Sequence, residues 1–332
     1  MISLSGLKIS LDMLSLVGEI DEFKGAWKWI GKVPPQRLAV LQQISIIENS
    51  GAALRLDGGL MSDQEIMMLL GTAEQTYVTP EERFIVGHAA LLENIFNNYE
   101  HIDFSASTLL QFFNELYRYS IKGQLQATNP DDRQDLNEND IAFDDSFNES
   151  VSQVAESLAL KKIHPLVTIA AFHAELLRVS PFPAGNRSLS QAVMQFLLLK
   201  SGYDFIPFCS LNTHVEQSAE VFFRAFGNAH GTEITRENLQ PAMTIFLRVL
   251  QKQKQRLEQK LIRETTSVDQ MSDLSQQLLE LVKSKGRITI SEASMLTRSS
   301  PGKVRKQLDT LVSGHQLQKH GTTKGVWYSM NA

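Results

Sequence analysis

Residues 163–211 read IHPLVTIAAFHAELLRVSPFPAGNRSLSQAVMQFLLLKSGYDFIPFCSL. Two helices are written into this stretch. Leu166, Ile169, Ala170, His173 and Leu177 recur at helical spacing before the interruption SPFPAG, and Leu189, Val193, Phe196, Leu197 and Lys200 recur after it. Both stripes are apolar enough for core positions, so the Pro- and Gly-containing loop 179–191 is held between buried helices. Gly185 and Asn186 lead into a helix start, where free backbone N–H groups and the dipole attract phosphate. Spacing alone fits either a loop aimed at a ligand or a turn that merely reverses the chain.

Outward from this centre, helix-start signals recur. A hydroxyl residue precedes Glu by three positions at Ser62/Glu65, Thr79/Glu82, Ser146/Glu149 and Thr213/Glu216, each before an amphipathic run. Further helices are expected after Pro35, from Ser107 through Tyr119, and from Gln240 to about Glu264. In the last of these, Ile245, Phe246, Val249 and Leu250 give way to QKQKQRLEQK, which predicts a second half standing in water. Strand signals are nearly absent before residue 286, and loops are expected at 99–106, 121–145 and 228–237.

After a linker at 265–272 the pattern changes. Leu274, Leu278 and Leu281 mark a helix, Arg287 to Ile290 alternates as a strand, and Ala293 with Leu296 marks a short helix. A third helix opens at Ser300-Pro301, carries Val304, Leu308 and Leu311, and stops at Gly314. Two β-runs, HQLQKH and VWYSM, close the chain around a turn at 321–325. This is the order of a winged helix-turn-helix. The fold class expected is therefore mainly α, a helical body followed by a small winged unit, divided as 1–104, 105–264 and 265–332.

The chain has 332 residues and a net charge of −5, unevenly distributed. From Asp273 onward nine basic side chains face four acidic ones, whereas 131–149 carries eight acids against Arg133 alone. Arg298, Lys303, Arg305 and Lys306 lie on or just before the third helix, and Lys319 and Lys324 flank the hairpin turn. A helix in the major groove with a wing along phosphates would use these residues on DNA. Pro301 and Gly302 offer no side-chain donors to bases, and a winged unit can equally serve protein contact. The N-terminus carries Lys8 and Asp12 around its apolar stretch, no run reaches about 18 apolar residues, and Cys209 stands alone. The expectation is a cytoplasmic protein with no membrane segment and no cysteine metal cluster.

Here the sequence resembles the Fic (filamentation induced by cyclic AMP) proteins of bacterial type, whose loop reads H-P-F-x-D/E-G-N-G-R-x-x-R. The resemblance implies transfer of AMP from ATP, with magnesium, to a hydroxyl of a target protein. It also implies what this chain lacks. Ser180 stands at the general-base histidine and Ala184 at the metal-binding carboxylate. A serine hydroxyl cannot take up a proton at neutral pH as imidazole does, and a methyl group offers magnesium no oxygen. Gly185 and Asn186 are retained and, with Arg187, form the expected nucleotide-binding positions; Arg187 replaces the second glycine, Ser188 the first arginine and Gln191 the last. Upstream, ENSGAALRLDGGLMSDQEI (48–66) resembles the family's inhibitory helix, with Asp57 for its glutamate and Gln191 as that residue's implied partner. His164 reads as a helix-entry residue and His173 as a core histidine rather than a replacement base.

The reading that follows is a Fic-like pseudoenzyme with no resident cofactor, acting by binding DNA or a protein partner through its winged helix. A homodimer or an active Fic relative is a further expected partner. The alternative is a weakly active protein AMP transferase or nucleotide-binding protein that uses ATP and magnesium.

Overall fold

The computed structural model describes residues 9–28, 33–71, 77, 79–125, 143–161, 163–227, 236–262, 273–321 and 325–331. The linker 265–272, Lys324 and most of the acidic stretch, Asp131 to Asp140, lie outside them.

The body is helical throughout. It comprises α1 (Leu11–Trp27), α2 (Pro35–Leu56), α3 (Asp63–Leu70), α4 (Pro80–Asn98), α5 (Ala106–Leu125), α6 (Asp145–Leu160), α7 (Pro165–Val179), α8 (Asn186–Lys200), α9 (Asn212–Glu216), α10 (Ala219–Gly227) and α11 (Arg236–Ile262). The two helices read from 163–211 are its centre. Every residue of α7 from Leu166 to Leu177 is buried, as is every residue of α8 from Ser188 to Leu199. A helix buried all round is a core helix, and Pro165 at its first position fixes where α7 begins. Lys200, counted on the apolar stripe, is exposed and reaches the Glu100 carbonyl. Gly87 lets α4 lie directly on α5, since a Cβ there would sit 2.0 Å from the Leu116 carbonyl oxygen.

Capping chemistry sets most of the other helix starts. Ser62 and Thr79 form full capping boxes with Glu65 and Glu82. The pair Ser146/Glu149 does not: the carboxylate of Asp144, two residues earlier, accepts the Phe147 N–H at 2.7 Å and starts α6. Thr213/Glu216 also fails, because α9 opens at Asn212 and the Glu216 carboxylate is taken by Arg55. Helix α1 was not expected at all; its signal is the Ser10 hydroxyl accepting the Met13 N–H.

The distal half of α11 does not stand in water. Gln253 and Leu257 are fully buried, Lys254 pairs with Glu19 of α1 at 3.0 Å, and Arg256 pairs with Glu48 of α2 at 3.1 Å. Long polar side chains here cover the core with their stems and are matched by charges on neighbouring helices, which a hydropathy stripe does not register.

The C-terminal unit runs α12 (Asp273–Lys285), β1 (Arg287–Thr289), α13 (Ile290–Leu296), α14 (Pro301–Ser313), β2 (Leu317–His320) and β3 (Trp327–Met330). Its antiparallel sheet has the order β1-β3-β2, with Ile288 opposite Tyr328 and Lys319 opposite Tyr328 on the other side. Ser300 precedes α14 but makes no capping bond, and the left-handed residue after the helix is His315 rather than Gly314. Leu278, Leu281 and Leu296 of this unit share one apolar cluster with Ile44 and Ile47 of α2 and Ile66 of α3. Arg37 of α2 adds an ion pair to the buried Glu280 at 3.0 Å. Thus α2 is common ground: its flank carries the C-terminal unit, and its end reaches the loop after α7.

Candidate functional site

That loop is built by two left-handed residues. Ser180 ends α7 at φ 45° and Gly185 precedes α8 at φ 67°. Glycine is required at 185 on two counts, since an added Cβ would also lie 2.4 Å from the Tyr117 hydroxyl. Arg187 is an ordinary residue of the first turn of α8 and has no positive φ. Asn186 closes the loop on itself: its carbonyl accepts the Phe182 N–H at 3.0 Å and its amide donates to the Phe182 carbonyl at 2.6 Å. Phe182 stacks on Phe113 at 4.7 Å and meets Phe143 edge-on at 5.5 Å.

A cleft of about 820 Å³ opens over this loop. The end of α2, the start of α4, Tyr117 of α5 and Phe223 of α10 wall it. The structure thus brings Asp57, Ser180, Gly185, Asn186 and Arg187 together in one cleft. Ala184 lies in the connecting loop. The partners of Asp57 differ from the expected one. Its carboxylate accepts the Ser188 hydroxyl at 2.7 Å and stands 3.8 Å from the Arg187 guanidinium, which also donates to the Leu56 carbonyl at 3.0 Å. Gln191 is fully buried, and neither amide atom has a partner among the described residues. It lies one turn further along α8 and makes no bond to Asp57.

The Ser180 hydroxyl donates to the Leu177 carbonyl at 2.8 Å. It is therefore bound to the backbone that precedes it. Neither nearby histidine replaces it. His164 caps α7 through its Nδ1 and meets Asp21 through Nε2 at 2.8 Å. His173 is buried between Phe222 and Phe226, with Nδ1 donating to the Ser190 carbonyl at 3.3 Å, and burial holds its pKa down to about 4. Three further wall residues, Glu81, Tyr117 and Phe223, carry no mark of this role in the sequence. Tyr117 and Phe223 read as members of apolar stripes, and Glu81 as one more first-turn acid. Burial, and then Asp57, push the Tyr117 phenol up to about 12.

The hydroxyl at the start of α8 already holds a carboxylate of the chain, and the side chain at 184 is a methyl group that supplies no oxygen to a metal. Among the described residues no group of three or more His, Cys, Asp or Glu side chains is placed to hold a metal.

A Fic family protein from Desulfovibrio desulfuricans G20, known from a crystal structure at 2.70 Å resolution, superimposes with a TM-score of 0.55 at 17% identity, covering 97% of each chain. The chain has the Fic fold. No protein-family model matches it, and no curated protein does. Within that fold, the cleft described above occupies the junction of the loop and the helix end that the sequence resemblance marked out.

In the C-terminal unit, Lys303, Arg305 and Lys306 are exposed along α14, while Val304, Leu308 and Leu311 are buried beneath them. Arg298 is exposed just before the helix, 3.4 Å from Glu93 of α4. Lys319 lies 3.8 Å from Asp309. No helix among the described residues is long and apolar enough to cross a membrane.

Proposed function

We propose that this Fic-fold protein is a pseudoenzyme, which does not transfer AMP and acts by binding DNA through its C-terminal unit, read as a winged helix. The observation that supports the first half is the state of Ser180. At the position where the resemblance implies a general base, the side chain is a hydroxyl whose hydrogen is engaged by Leu177. Loss of a general base costs about 10²–10⁴ in rate, and the missing carboxylate at Ala184 adds to that.

The exposed basic face of α14 supports the second half. Docking through α12 and α13 against α2 and α3 leaves Lys303, Arg305 and Lys306 outward. Phosphate contacts of this kind give salt-dependent binding with little base readout, consistent with Pro301 and Gly302 at the start of α14. A duplex shift assay at several salt concentrations tests this. Arg305→Ala with Lys306→Ala is expected to weaken binding to all sequences alike and to reduce the slope of log K against log salt by about 2. Binding that is indifferent to both salt and the double substitution would remove DNA and leave a protein partner as the reading.

A further inference from the structure

We propose that the cleft over the 180–185 loop receives an organic cation, an ammonium or guanidinium group, in place of a nucleotide. This goes beyond the DNA reading and does not depend on it. Among the described residues, the charges that line the cleft are the carboxylates of Asp57 and Glu81 against the guanidinium of Arg187. Two of the side-chain donors there are engaged within the loop, and a third, the half-exposed Arg187, is anchored at the wall. The Ser180 hydroxyl is bonded to Leu177, the Asn186 amide to Phe182, and the Arg187 guanidinium to Leu56.

Apart from the Arg187 guanidinium and the Tyr117 hydroxyl, the polar and aromatic side chains of the lining offer acceptors and π-surface. Phe84, Tyr117 and Phe223 supply aromatic walls. Carboxylates with aromatic faces in a concave site are the combination that attracts cations. The positive ends of two helices also border the cleft, and each is met by a carboxylate of the chain. Asp57 is hydrogen-bonded at the start of α8, and Glu81 lies in the first turn of α4. An incoming phosphate would have to displace them.

The cleft already holds one cation of the proposed kind. The Arg187 guanidinium lies 4.4 Å over the Phe223 ring, between the Leu56 carbonyl and Asp57. Beside it, Glu81 makes one long bond, accepting the exposed Leu60 N–H at 3.3 Å, and Phe84 stacks on the buried His88 at 5.7 Å. Among the described residues Glu81 has no ion-pair partner, so the second cation is placed at this carboxylate, beside Phe84 and Tyr117.

Calorimetry on the full chain tests the proposal with four probes at fixed ionic strength: Nα-acetylarginine amide, its neutral isostere Nα-acetylcitrulline amide, spermidine, and ATP with magnesium. The arginine probe is expected to bind about 10-fold or more tightly than the citrulline probe, and Glu81→Gln and Asp57→Asn each to weaken it by a similar factor. Tighter binding of spermidine than of the arginine probe would assign the site to a free amine, and the reverse to a basic side chain of a partner protein; either outcome supports the cation site. Equal binding of the two amino-acid amides, no binding of either cation, or ATP binding more tightly than both would overturn it. Glu81→Gln should leave duplex binding unchanged, which separates failure here from failure of the DNA reading. Circular dichroism of both variants confirms that a lost signal is not lost fold.

Discussion

Lowering the pH from 7 to 5 is expected to remove a large part of the protein's stability. Among the described residues three histidines are buried in the body: His88 on α4, His173 on α7 and His214 on α9. Burial is the main cause that pushes each down to about 4 from an ordinary value of 6.5. At His214 the nearby Arg256 adds to the effect. The unfolded chain takes up a proton on each near pH 6.5 and the folded chain does not, so the unfolded state gains protons first. The full stability is present above pH 6.5 and is lost as the pH falls through 6.5 towards 4, with little further change from these groups below 4. Each is worth about 2 kcal/mol at pH 5, and three together about 6 kcal/mol, against a total of about 5–15 kcal/mol for a typical domain. Urea unfolding at pH 7, 6 and 5 measures this. His173→Gln, whose amide can keep the bond to the Ser190 carbonyl, should flatten the dependence by about one third. A midpoint constant from pH 7 to 5 would show that these rings are not neutral in the folded state.

Phe182→Ala should be the most damaging substitution in the loop, although it touches none of the chemistry that the resemblance implies. Phe182 is 4% exposed and packs between Phe113 and Phe143. Its backbone N–H and carbonyl are both held by Asn186. Truncation removes an aromatic contact and leaves a cavity that α5 and α7 cannot close, a change worth about 3–5 kcal/mol. Denaturant unfolding should show that loss, with Phe182→Leu clearly milder. Ser180→Ala should cost much less, because it removes one half-exposed hydroxyl bonded to Leu177. Near-equal costs for Phe182→Ala and Ser180→Ala would mean that the ring does not anchor the loop.

The two substitutions also explain which parts of the molecule could be read from sequence. Apolar residues at helical spacing, with Pro165 and Gly185 as punctuation, were enough to place α7, the loop and α8. Local chemistry of that kind is carried by neighbours in the chain. What escaped depends on residues far apart in it. Glu216 was assigned to cap its own helix, yet it forms two bonds to Arg55, at 2.6 and 3.0 Å, which also holds Asp63. The distal part of α11 was read as solvated because its stripe is polar, but Glu19 and Glu48 supply the partners that bury it. The same limit applies at the cleft. Asp57 was matched to Gln191 by analogy, whereas the geometry of α8 delivers Ser188 and Arg187 to it. Tyr117 and Phe223 carry no local mark that separates a cleft wall from a core stripe.

These contacts give the protein one consistent organisation. Helix α2 joins the cleft to the C-terminal unit: Asp57 at its end holds the start of α8, and Arg37, Ile44 and Ile47 along it hold α12 and α13. Positions that serve nucleotide transfer in the resemblance serve here to fasten helices to each other. On the proposed reading, the folded core is thereby kept without the groups that would take up a proton or hold a metal.

The most direct test of that account is incubation of the unmodified full chain with magnesium and ATP labelled in its α-phosphate, alone and with a mixture of candidate protein acceptors. The expected result is no magnesium-dependent label on any protein. Label transfer by the unmodified chain, abolished by Arg187→Ala, would contradict it.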